Sequence, residues 1–248
     1  DLERARSELR AYREENPATT PLPPPALPRY GGGAAGVIGY AAVLLLVAYL
    51  AGDYAFGADW YRAGRMNAGQ VLSGEGWRVV TALTLHGDAG HLTANLVFGA
   101  LFGGLASLAF GGGVAWLAIL LGGTFGNVLN ALVQSPGHTS VGASTAVFAA
   151  LGLLVADAIR RRHHLPASPL RRWSPLVGGI LLLAYTGTGG ERTDVVAHLT
   201  GFLAGLALGV PLCRASPAWL GRPRLQSAAG SLGLSLIGLG WFLALAAA

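Results

Sequence analysis

Seven stretches of the chain are apolar and almost free of charge, at about 36–52, 91–110, 114–133, 142–160, 174–188, 194–213 and 226–247. Spanning a hydrocarbon core of about 30 Å takes about 20 mostly apolar residues in a helix, and these runs meet or approach that length. The pattern predicts an all-α fold, a polytopic bundle of about seven membrane helices. Between the first two runs lies a long mixed segment, 53–90, which carries Trp60, Tyr61, Trp77 and Arg78. Ahead of them, residues 1–16 alternate in charge (Glu3, Arg4, Arg6, Glu8, Arg10) and read as a solvated helix before the proline-rich run Pro21 to Pro28. Three parts follow: an N-terminal segment with its linker at 1–33, a membrane core at 34–213, and a loop with a last span at 214–248.

The loops set the orientation. Arg160, Arg161, Arg162, Arg171 and Arg172 lie between the fourth and fifth runs, and Arg214, Arg222 and Arg224 lie between the sixth and seventh. Basic loops stay on the cytoplasmic side, so the N-terminus is expected there too, with segment 53–90 and the C-terminus outside. Spans two, four and six then all enter from the outer face, and their first turns share one depth.

Composition agrees with residence in lipid. The chain is 52% hydrophobic and 12% charged, with mean hydropathy +0.51 and 38 glycines. Small residues let membrane helices approach closely. The net charge of +5 is spread over short loops, without the basic, aromatic-interleaved face that nucleic-acid binding needs. The lone Cys213 excludes an intrachain disulfide within this sequence and a thiolate metal cluster. No cleavable leader is visible in the polar first thirty residues, and because the chain opens at Asp1, its true N-terminus is expected upstream. An absence of lysine beside abundant Ala, Gly and Arg points to a GC-rich genome, hence to a bacterial inner membrane.

The candidate chemistry sits in those three first turns: His91 and Asn95 in span two, Ser144 in span four and His198 in span six. Polar side chains at membrane depth are costly and usually functional. Ser144 opens its span after Gly142 and Ala143, at a helix start where free N–H groups can hold an oxyanion. An imidazole such as His198 can take the serine proton. Each residue also has a plainer reading. Ser144 alone fits a helix cap or a crossing point, His198 a hydrogen-bonded bundle histidine, and His91 with Asn95, four apart on one face, an interhelical glue. A metal held by His91 and His198 is disfavoured, since the nearby acids Asp88 and Asp194 look loop-borne and no His-Glu-x-x-His run exists. No cofactor is implied.

Taken jointly, these residues carry a family pattern. The run Gly74-Glu75-Gly76-Trp77-Arg78, followed by Leu85-His86 and then His91-Leu92-Thr93-Ala94-Asn95, resembles the first loop and second span of rhomboid intramembrane serine proteases. Gly142-Ala143-Ser144 with Ala146, Phe148 and Gly152 resembles that family's serine motif, and Ala197-His198 with Gly201 and Gly205 its histidine helix. The resemblance implies a six-helix core plus one extra C-terminal span. It implies an endopeptidase that cuts transmembrane protein substrates, with Ser144 as nucleophile and His198 as general base, and no third carboxylate. It further implies an oxyanion site of His91, Asn95 and the Ser144 N–H, a stack of Phe148 on His198, and a structural role for Trp77 and Arg78. Thr145 departs from the family's usual glycine after the serine. A catalytically inactive relative that binds membrane-protein clients is the alternative. Independently of family, Gly201, Gly205 and Gly209 recur every four residues, a small-residue face expected to draw span six against span four through Gly152. His86 and His138 are placed in outer loops, and Asn127 and Asn130 are expected to bond neighbouring helices.

Overall fold

The computed structural model describes residues 2–15, 29–161, 177 and 194–248. The predicted fifth span at 174–188 lies outside the described residues apart from Val177, as does the linker at 21–28. Among the described residues five helices are long and apolar enough to cross a membrane: Gly33–Gly52, Ala89–Phe110, Gly112–Val133, Val195–Leu212 and Pro223–Ala246. A sixth long helix, Ser144–Arg161, is less apolar because Asp157, Arg160 and Arg161 crowd its last turn. It nonetheless occupies the centre of the bundle, packed against the helices Ala89–Phe110, Gly112–Val133 and Val195–Leu212. There Arg160 pairs with Asp157 at 3.1 Å and donates to the Cys213 carbonyl at 3.0 Å, so these two charges are used internally. The helix Leu2–Glu15 is exposed at every described side chain, as its alternating charges predict.

Helix starts and stops follow local chemistry. Asp88 caps Ala89–Phe110 by accepting from the His91 N–H at 2.8 Å, and Asp194 caps Val195–Leu212 by accepting from Ala197 N–H at 3.0 Å. Between Phe110 and Gly112 the chain reverses at Gly111, whose φ of 83° a side chain would resist. Gln226 of the last helix brackets that turn. Its Oε1 accepts from Val114 N–H at 3.0 Å, while its Nε2 donates to the carbonyls of Phe110 at 3.1 Å and Leu220 at 2.7 Å.

The mixed segment 53–90 folds into a string of short helices instead of a span. Trp241 of the last helix reaches into it, packing on Trp60 at 4.5 Å between ring centroids and donating to Thr84 at 3.0 Å. A two-residue antiparallel pair, Met66 with Ser140 and Asn67 with Thr139, ties the segment to the loop before Ser144.

Arg78 organises this region. Only 5% exposed, its guanidinium meets Glu75 at 2.7 Å and donates to the carbonyls of Arg62 and Arg65, both at 2.9 Å. Those carbonyls end the short helix Trp60–Gly64 and would otherwise lack partners. The planar fork serves a carboxylate and two carbonyls together, which a lysine ammonium on a single stem does not match. Arg78→Ala is expected to cost about 3 kcal/mol of stability, and Arg78→Lys to recover only part of it, as read from thermal unfolding in detergent. Trp77 acts alongside Arg78, with its Nε1 3.4 Å from the Ala63 carbonyl.

Candidate active site

Ser144 is the first residue of its helix, and a tight turn delivers it there. Gly142 has φ 131°, its N–H donates to the Ala82 carbonyl at 2.9 Å, and the Val147 N–H closes the first helical turn on Ala143 at 2.9 Å. A side chain at position 142 would be blocked twice over. A Cβ there would lie 2.6 Å from Cε1 and Nε2 of His91, and 3.7 Å from the Ser144 Oγ. Glycine therefore lets the His91 ring edge and the serine hydroxyl flank the same point. Asn95, one turn after His91, is buried, donates to the His91 carbonyl at 3.1 Å, and has its own carbonyl held by the Tyr40 hydroxyl at 2.8 Å.

His198 arrives from the other side. Its ring stacks on Phe148 with centroids 4.4 Å apart and planes at 34°, and Phe148 stands one turn beyond Ser144 on the same helix. The small-residue face brings the two helices into backbone contact. A Cβ on Gly201 would lie 2.2 Å from the Thr145 carbonyl, one on Gly205 2.0 Å from the Ala149 carbonyl, and one on Gly152 2.2 Å from the Phe202 carbonyl. Ser144, His198, His91 and Asn95 all line one cavity of about 1190 Å³, which Phe148 and Asp194 also border. The expected meeting of spans two, four and six is thus a feature of the structure.

Thr145 has a place of its own. It is 3% exposed, and its Cγ2 methyl fills the space that a side chain on Gly126 or Gly201 would need, 2.7 Å and 2.9 Å from their built Cβ positions. The branched residue is accommodated because its two neighbours are glycines.

Four residues that the sequence placed in loops or on neighbouring helices lie around the site. Asn127 donates to the Val79 carbonyl at 2.9 Å, and Asn130 donates to Asp194 Oδ2 at 2.7 Å, which is the interhelical bonding expected of them. His138 meets the same Asp194 oxygen at 2.7 Å. His86 does belong to the connection before the second span, yet it is only 5% exposed, lies edge-on to His91 at 5.1 Å and accepts from the Ala143 N–H at a long 3.4 Å. Its position in the run Leu85-His86 was the one sequence signal of this proximity.

Burial, and after it the neighbouring His91, push His86 down to about 4, against the opposing pull of the Thr84 backbone and Asp88. The folded protein holds this imidazole neutral, while the unfolded chain binds a proton from its ordinary 6.5 downwards. Stability is therefore expected to fall as pH drops from about 6.5 towards about 4, by roughly 3 kcal/mol in all. His86→Asn keeps an acceptor without a titrating group, and unfolding of this variant followed across that window should show a flatter profile.

Comparison with known proteins agrees with this architecture. A Rhomboid domain model matches residues 73–215. The Toxoplasma gondii protein named rhomboid-like protease 3 is 36% identical over 132 residues, covering 53% of this chain and 50% of that protein. Rhomboid-like protease 2 of the same organism is 31% identical over 163 residues, 63% of this chain and 56% of that protein. RHOMBOID-like protein 5 of Arabidopsis thaliana is 30% identical over 154 residues, 61% and 48% respectively. The chain spans about half the length of these curated relatives. All three are eukaryotic, and they lend no weight to the bacterial membrane expected from composition. With the domain model matching more than half of its length, and an all-helical, multi-pass architecture around the turns of Ser144 and His198, the chain belongs to the rhomboid family.

Proposed function

We propose that the protein is an intramembrane serine endopeptidase whose nucleophile is Ser144 and whose general base is His198. The observation that carries this reading is the apposition of their helical turns, through the Phe148–His198 stack and the contact of Gly201 with the Thr145 backbone. His198 takes the Ser144 proton as the hydroxyl oxygen attacks the scissile carbonyl. The developing oxyanion is met by the N–H groups at the start of the serine helix, with His91 and the Asn95 amide as side-chain donors. Collapse to the acyl-enzyme returns the proton from His198 to the leaving amine, and water activated by the same imidazole then releases the acyl group.

Substrates are transmembrane segments of other proteins, taken from the surrounding bilayer into the cavity that Ser144 lines. The basic loops favour an N-terminus in the cytoplasm and a cavity that opens towards the outer face. The test is labelling of the purified protein by a fluorophosphonate. Modification at Ser144, lost in His198→Ala, supports the enzyme; an unlabelled Ser144 in folded protein moves the reading to a silent binder of membrane-protein clients.

A further inference from the structure

Among the described residues, Asp194 is the one carboxylate whose hydrogen bonds reach both the helix of His198 and the loop that enters Ser144. Its Oδ1 accepts from the Ala197 N–H at 3.0 Å, and its backbone carbonyl accepts from the N–H of His198 itself at 3.1 Å. Its Oδ2 is shared by the Asn130 amide and the His138 ring, each at 2.7 Å. His138 is anchored in turn, because its carbonyl accepts from the Ala68 N–H at 3.0 Å and the next two residues form the strand pair with Met66 and Asn67. The same side chain therefore caps the His198 helix and joins it to two other elements.

An ordinary N-cap needs only Oδ1. The second oxygen is committed to partners 64 and 56 residues away in sequence, which a cap does not require. Burial would push the Asp194 carboxyl up, but the bonds from Ala197, His138 and Asn130 outweigh it and hold the group below the usual carboxylate range. It stays ionised at neutral pH, as an acceptor of three hydrogen bonds must.

We propose that Asp194 is a positioning residue for the reaction, which with His138 and Asn130 clamps the first turn of the histidine helix at the depth and rotation that aim His198 at Ser144. Asp194 touches neither the hydroxyl nor the reacting bond; it acts through the backbone of His198. The inference rests on the protease reading above, and its test separates the two. Cleavage of a fluorogenic transmembrane reporter peptide is followed in proteoliposomes for the intact protein, Asp194→Ala, His138→Ala and the double variant, with Ser144→Ala as blank. A misaimed base slows the chemical step without weakening substrate binding, so kcat should fall about tenfold or more in D194A, with KM within about twofold.

His138→Ala leaves the helix cap and the Asn130 bond in place, and its kcat should fall in the same sense. The double variant should be no slower than D194A, because both lesions open one clamp. A D194A protein that fails to fold leaves H138A to carry the test, since the cap is untouched there. The proposal is overturned if H138A keeps its kcat within about twofold of the intact protein, or if its loss lies in KM alone. It is also overturned if the two single losses multiply in the double variant. An intact protein with no Ser144-dependent cleavage takes the protease reading down and this inference with it.

Discussion

Ser144→Ala is expected to lower cleavage of a transmembrane reporter by about 10⁴-fold or more, to the level of the uncatalysed background, with the thermal midpoint unchanged. The hydroxyl is the atom that forms the acyl-enzyme, and Ala143 before it and Ala146 after it in the first turn carry no group that could replace it. His198→Ala should fall about as far, because nucleophile and base act as a unit and removing either stops the same proton transfer. The fold should survive both changes. Alanine suits a helix's first turn at 144, and at 198 the loss leaves a gap beside Phe148 that costs packing without touching the helix backbone. Comparable product from the intact and Ser144→Ala proteins, after exclusion of contaminating proteases, would falsify the assignment.

The second large effect is expected from a single methyl group. At Gly201 an added Cβ would stand 2.2 Å from the carbonyl oxygen of Thr145, a backbone atom next to the nucleophile that no side-chain rotation can move aside. The histidine helix must retreat or rotate, and overpacking of this kind costs about 1–3 kcal/mol. The rate should suffer more than the stability, because displacement of reacting groups by about 1 Å is worth about 100-fold. Gly201→Ala is therefore expected to cut kcat about 100-fold in folded protein. Gly238→Ala, where a Cβ meets nothing within 4 Å, supplies the control and should leave the rate alone. Equal rates for the two variants would mean that contact between these helices does not set the aim of His198.

What the chain revealed in advance, and what it hid, divide along the range of the interactions. The long helices were legible because each is a local run of one polarity: spans expected from 91, 142 and 194 begin at Ala89, Ser144 and Val195. The stack of Phe148 on His198 was implied only by family resemblance. The close approach of Gly201, Gly205 and Gly152 was legible from spacing alone, since four-residue recurrence of glycine is a property of one helix face. Segment 53–90 was not legible in detail. Its order depends on Arg78 reaching carbonyls 13 and 16 residues back and on Trp241 arriving from the end of the chain, and neither contact leaves a periodic trace. Asp194 looked like a loop acid because its partners, Asn130 and His138, are distant in sequence. Thr145 stood out as a departure for a similar reason, since the gap it fills is made by glycines on two other helices.

Gln226 sets an order of events in the making of the protein. The Val114 N–H that its side chain holds was synthesised 112 residues earlier, and the Phe110 carbonyl 116 residues earlier. A nascent chain emerges from its N-terminus, so the reversal at Gly111 waits without these partners until the last helix is delivered. The bracket closes late, and the bundle reaches its final packing only after the helix Pro223–Ala246 has left the ribosome.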